Sequence, residues 1–208
     1  MVKKTFFSFL VLLAFSVSLN AAPQPQKPEL QKKSEVEQKT PDERLYDVLY
    51  KTNMFASCSV QVEQALKDGA DANKQYFYGA AGAFDYPLHA AVHFYYDGVA
   101  LTKLLLEYGA EIEKRCSAGQ TPLFVAVKHR NVAAAQFLLE KGAEVNTRSK
   151  WLSPLLVAVK NDDEEMVKLL LEWGASLKVW DEAGKTVFNL WQSLGIFNML
   201  HAAQAQNI

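Results

Sequence analysis

An all-α solenoid of about five stacked helix-turn-helix units, joined by connecting fingers, is the fold class this chain predicts. One phrase recurs three times, as LLEYGAEIEKRCSAGQTPLFVAVK at 105–128, LLEKGAEVNTRSKWLSPLLVAVK at 138–160 and LLEWGASLKVWDEAGKTVFNLW at 170–191. The glycines that close the LLE phrases, Gly109, Gly142 and Gly174, and Gly69 after ALKD in the matching place, are spaced by 40, 33 and 32 residues in chain order. The prolines that open the next apolar run, Pro87, Pro122 and Pro154, are spaced by 35 and 32, with Thr186-Val187 in the following slot. A period near 33 residues is the mark of helical repeats that bury their apolar faces only against one another.

The elements follow in chain order. Residues 1–21 join Lys3 and Lys4 to an apolar run from Phe6 to Val17 and a small-residue end, the order of a secretory signal peptide cleaved after Ala21. The run is about half the ~20 residues a membrane-spanning helix needs, so a permanent anchor is not expected. Loss of Lys3 and Lys4 would take the formal net charge from −1 to −3. Residues 22–40, rich in Pro, Gln, Lys and Glu, cannot bury enough surface to offset the entropy of ordering them and read as a flexible linker. No later stretch is long and apolar enough to span a bilayer, so a soluble mature protein is expected.

From 41 to 208 the units read as an N-terminal one at about 41–73, three regular ones at about 86–115, 120–148 and 152–181, and a C-terminal cap at about 185–206. Within a unit, Thr121-Pro122 or Ser153-Pro154 caps a short apolar helix at a position that tolerates a residue without N–H. Ala126 and Ala158 are small enough to let a neighbouring helix approach. A polar turn follows, Arg130-Asn131 or Asn161-Asp162-Asp163. The second helix has apolar residues at helical spacing, as in Met166, Val167, Leu169, Leu170 and Leu171 among Glu164, Glu165, Lys168 and Glu172. Gly174 ends it in a left-handed cap. The variable residues between glycine and proline form the finger. The first unit lacks the Pro-Leu phrase and lengthens its inter-helix turn at Thr52 to Ser57, while the last has Val187 in place of proline and ends in the polar HAAQAQNI.

Thr121-Pro122-Leu123, Pro87-Leu88-His89-Ala90-Ala91 and the three Gly-Ala phrases resemble the ankyrin repeat family over about Asp42 to Ala205. The resemblance implies an interaction scaffold without cofactors, recognising a protein partner. Periplasmic proteins it resembles include supporters of peroxide defence and immunity-type inhibitors of toxic enzymes, which would bind and shield rather than catalyse.

Evidence for catalysis is lacking: there is no GxSxG, HExxH, glycine-rich phosphate loop or CxxC. His89 and His93 lie four apart on one helix, but His89 matches the family's structural histidine and no third ligand is evident, so no metal is assigned. Cys58 and Cys116 are expected at opposite ends of the helices, which disfavours a bridge within the chain, since a disulfide needs α-carbons within ~7 Å, and leaves free or intermolecular thiols as the alternative. Scattered Lys and Arg at a net charge of −1 leave no basic footprint for nucleic acid or an anionic membrane.

The unusual content is in the fingers. Aromatic residues and Arg dominate binding hot spots. Tyr76 and Tyr78 of the long first finger, Arg115 of the next, Arg148, Lys150 and Trp151 of the third, and Trp180 and Asp181 of the fourth are the candidate partner-binding residues. Phe94, Lys128 and Lys160 extend them along the first-helix face, with His93, His129 and Asn161 beside them, as one concave strip. The expectation is therefore an exported, monomeric, non-enzymatic binding protein of the periplasm or the exterior, whose partner is another protein. Two alternatives stay open: a small periplasmic enzyme or metal-binding protein with its site in the long first connection, and a secreted effector binding a host protein.

Overall fold

The computed structural model describes residues 39–51, 58–78, 83–94 and 97–206. The segment read as a signal peptide, nearly all of that read as a linker and the expected turn at 52–57 lie outside them. The described chain runs through α1 (Pro41–Tyr46), one turn of π-helix (Asp47–Lys51), α2 (Ser59–Lys67), the strands β1 (Tyr76–Tyr78) and β2 (Ala83–Asp85), α3 (Pro87–Ala91) and α4 (Gly98–Glu107). It continues through α5 (Pro122–Lys128), α6 (Val132–Glu140), α7 (Pro154–Lys160), α8 (Glu164–Glu172), a 3-10 turn (Val187–Asn189) and α9 (Leu194–Gln206). Successive first helices pack in one row, from the π turn through α3, α5 and α7 to the 3-10 turn. The second helices α2, α4, α6, α8 and α9 pack in the other.

Local chemistry sets these boundaries. The Thr121 and Ser153 hydroxyls accept from the backbone N–H groups of Phe124 and Leu156 at 3.3 Å, and Pro122 and Pro154 stand where an N–H would have no partner. Asn131 and Asp163 cap α6 and α8 in the same way. The α6 end closes when Gly142, at φ 91°, lets Ala143 N–H reach the Leu138 carbonyl at 3.0 Å and its own N–H reach Leu139 at 2.9 Å. Residue 58 at the start of α2 is a cysteine that caps nothing. Asp97 of the next unit supplies the carboxylate instead, accepting from the N–H groups of Cys58 (2.8 Å) and Ser59 (3.2 Å).

Units are tied by repeated polar bridges that periodicity alone does not reveal. Asn73 donates to the Gly109 carbonyl and accepts from Glu111 N–H, both at 2.8 Å. Asn146, at the matching place two units on, does the same to Gly174 (3.3 Å) and Ser176 (2.8 Å). The buried side chains form two clusters, one drawn mainly from α1 to α4 and one from α5 to α9 together with Val92 at the end of α3, and Leu106 packs against both. Both cysteines are free: Cys58 is buried and Cys116 half-buried. Burial, followed by the nearby Asp97 carboxylate, pushes the Cys58 thiol up to about 11, so it is inert at neutral pH. No helix among the described residues is long and apolar enough to cross a membrane.

Candidate functional site

Hairpin-like turns shape the fingers. β1 and β2 pair antiparallel in the first, with Tyr76 opposite Asp85 and Tyr78 opposite Ala83. The second and fourth close over five residues, Cys116 N–H to the Gln120 carbonyl at 3.0 Å and Asp181 N–H to Lys185 at 2.9 Å. Gly119 and Gly184 take the left-handed positions there, at φ 73° and 74°. The third finger is one residue shorter. Ser149 and Leu152 exchange both backbone bonds (2.9 and 3.0 Å) around a two-residue loop of Lys150 and Trp151, and Lys150 itself adopts φ 54°. That position favours glycine in a tight hairpin, so the loop holds Trp151 at some conformational cost.

Beneath this tip lies a groove of about 680 Å³. Phe124 and Leu152 give it apolar lining, Gln120 and Ser149 polar lining, and Lys150, Trp151, Lys160, Asp181 and Glu182 complete its boundary with the finger alanines Ala118 and Ala183. Trp151 is 55% exposed. The Lys160 ammonium meets the Asp181 carboxylate at 2.8 Å and holds that carboxyl below its ordinary range. The other Asp181 oxygen accepts from the N–H groups of Ala183 and Lys185 at 3.0 Å, so this residue chiefly fixes the fourth finger's turn.

Four of the residues singled out in the sequence therefore meet in one groove: Lys150, Trp151, Lys160 and Asp181. Trp180, 45% exposed, lies outside it, with the Arg148 guanidinium 5.0 Å from its ring centre in a cation–π contact. Lys128 is exposed at the end of α5. Three candidates are instead part of the framework. Tyr76 is 8% exposed, with its ring 5.3 Å from that of Tyr46 and 5.8 Å from that of Tyr50, and it donates to the Asp42 carbonyl at 3.1 Å. Phe94 is 2% exposed within the N-terminal core. Arg115 donates to the carbonyls of Gly119 (2.9 Å) and Arg148 (2.7 Å) and to the Thr147 hydroxyl (3.2 Å), which clamps the second finger to the third. The Tyr78 side chain is outside the described residues.

The groove residues missed by sequence reasoning are Gln120, Phe124, Ser149, Leu152 and Glu182. Phe124 occupies the slot that His89 fills one unit earlier, and that alignment was the available signal. On the first-helix row, His93 meets His129 with ring centres 4.0 Å apart. Burial, with the His129 and Lys128 charges second and third, lowers His93 to about 4. Burial, then Lys128, lowers His129.

A family model described as ankyrin repeats, three copies, matches residues 54–149 and 88–181. The crystal structure of the human ASB11 ankyrin repeat domain is similar over 72% of this chain and 66% of that one, with 26% sequence identity and a TM-score of 0.60. The chain thus spans just under two thirds of that domain's length. No curated protein matches the chain.

Proposed function

Since the chain belongs to the ankyrin repeat family, whose members generally mediate protein–protein interaction and are typically non-enzymatic, we propose that it is an exported binding protein gripping another protein in the groove beneath its third and fourth fingers. The observation that carries this reading is Trp151, a large exposed ring held on a strained two-residue loop over a groove of about 680 Å³. A rigid aromatic at the mouth of a partly apolar hollow is the arrangement of a binding hot spot. Lys150, Lys160, Asp181 and Glu182 share that boundary, with Lys160 paired to Asp181, so formal charges balance and the favoured partner segment presents an apolar side chain between polar flanks. Export is inferred from the leader-like order of residues 1–21, and the working protein would then act in the periplasm or outside the cell, in our reading as a monomer.

The test is capture. The chain is expressed with its leader in a bacterium, crosslinked in the periplasm, and its adducts are identified by mass spectrometry beside a Trp151→Ala variant of unchanged circular dichroism. A specific adduct lost in the variant is the expected result. An adduct retained undiminished in the variant would move the interface away from the groove. Recovery of uncleaved chain in the cytoplasm would remove the export half of the proposal.

A further inference from the structure

The first and second fingers bring together a second group of residues. A ring nitrogen of His89, a carboxylate oxygen of Asp85 and the Cys116 sulfur lie within 4.8 Å of one another. Asp85 ends β2, His89 is in the first turn of α3, and Cys116 opens the turn of the second finger. The sequence offered only His93 as a companion for His89, and the structure turns His93 to His129 instead. We propose that Asp85, His89 and Cys116 form a binding site for a zinc-type divalent cation that staples the two fingers to α3.

Three observations carry this. The His89 side chain is 0% exposed, yet its Nδ1 is buried without a hydrogen-bond partner. Its Nε2 faces the Gln120 carbonyl at 2.9 Å, which holds the ring proton on Nε2 and leaves the lone pair on Nδ1. A carbonyl that orients the far nitrogen in this way is the usual support of a metal-bound imidazole. The Lys114 backbone also approaches the ring, but without hydrogen-bond geometry. Next, the Cys116 thiol hydrogen-bonds the Asp85 carboxylate, which places the sulfur against the oxygen. Last, sister units lack the set. The Cys116 position holds Ser149 and Asp181 in the later fingers, where the hydroxyl donates to the Ala118 carbonyl and the carboxylate binds its own turn. The His89 position holds Phe124 and Leu156, and the Asp85 position holds Gln120 and Leu152.

The donor chemistry selects the ion. Thiolate and imidazole suit zinc and its neighbours rather than magnesium or calcium. In a tetrahedral zinc site the ligand atoms are roughly 3.3–3.8 Å apart, given bonds of about 2.0–2.3 Å, so atoms within 4.8 Å of one another need at most a contraction of about 1–1.5 Å. Three protein ligands leave the fourth position to water, and Cys116 is half-buried, so that position is open to solvent. Binding would release the thiol proton to solvent. The resulting thiolate and carboxylate balance the dication, with His89 neutral.

Cobalt(II) is the probe, added under reducing conditions to the purified chain. One equivalent should produce a thiolate-to-cobalt charge-transfer band and the intense d–d bands of a tetrahedral centre, and one equivalent of zinc should displace both. Cys116→Ser should abolish the charge-transfer band, and Asp85→Asn should weaken cobalt binding about tenfold or more. Cys58→Ser should behave as the parent. His89 is too buried for its variants to be decisive, so the other two carry the test, each checked for folding by circular dichroism. A folded parent with no charge-transfer band would overturn the site, as would a band that survives in Cys116→Ser or disappears in Cys58→Ser.

Discussion

Leu170 is wholly buried in the C-terminal cluster, on the face of α8 that the apolar spacing assigns inward. Leu170→Ala should therefore cost about 2–5 kcal/mol of stability in urea unfolding, and a near-neutral result would show that the helix register is wrong. His93, like His89, is a group through which pH acts on stability. It titrates near 4 in the folded chain against 6.5 when free, so between those values the unfolded chain binds a proton that the folded chain refuses. Stability is then lost as pH falls from about 6.5 towards 4, and the loss levels off below. His129, also lowered by burial and facing the same ring, adds to the effect in the same direction. The urea midpoint should decline over that window more steeply in the parent than in His93→Gln, and parallel slopes would contradict the lowered pKa of His93. Residues of this kind also show where sequence reading stops. Leu170 was legible because periodicity fixes the inward face of a helix. Tyr76 and Phe94 were not, because in a finger or a turn no period says which way a ring points. Here Tyr76 completes a stack with Tyr46 and Tyr50, contributed by a different stretch of chain.

Among elements, the helices were readable from Thr-Pro and Ser-Pro starts and glycine ends. The fingers were readable only as insertions. What distinguishes the third finger is its length. Without the glycine that Gly119 and Gly184 provide in its neighbours, the left-handed position falls to Lys150. A non-glycine residue there costs about 1–2 kcal/mol, while glycine's extra freedom in the unfolded chain costs about 0.5–1. Lys150→Gly should thus raise stability by roughly 0.5–1 kcal/mol by thermal or urea unfolding. If the groove is the binding site, the same change should weaken capture, because a charged rim residue is lost and the Trp151 tip is loosened. Greater stability with undiminished binding would mean that the strain has no part in recognition.

In a stack, stability is a sum of units and the junctions between them, so the weakest junction decides whether the molecule unfolds as one. The two buried clusters meet between the second and third units, where Leu106 touches both. One polar tie across that junction, beside those of His89 to Gln120 and Arg115 to Thr147 and Arg148, is Asn131. Its oxygen caps α6 at Ala134 N–H (3.1 Å), and its amide donates back to the carbonyls of Val92 (2.8 Å) and Phe94 (3.2 Å) at the end of α3. Asn131→Ala removes the cap and both ties, at a cost of about 2 kcal/mol. The two lost ties fall on the junction and the lost cap on the start of α6. The variant should therefore unfold in two steps where the parent unfolds in one. The chain supplies its own reporters: Trp151, Trp173, Trp180 and Trp191 all lie in the C-terminal half, whereas the stacked Tyr46, Tyr50 and Tyr76 lie in the N-terminal half. In urea, tryptophan fluorescence would follow the C-terminal block alone while far-ultraviolet circular dichroism follows both. Coincident curves for the parent and separated curves for Asn131→Ala are expected. Coincidence in the variant would mean that packing of α3 on α5 and α4 on α6 is enough to hold the stack together without the amide.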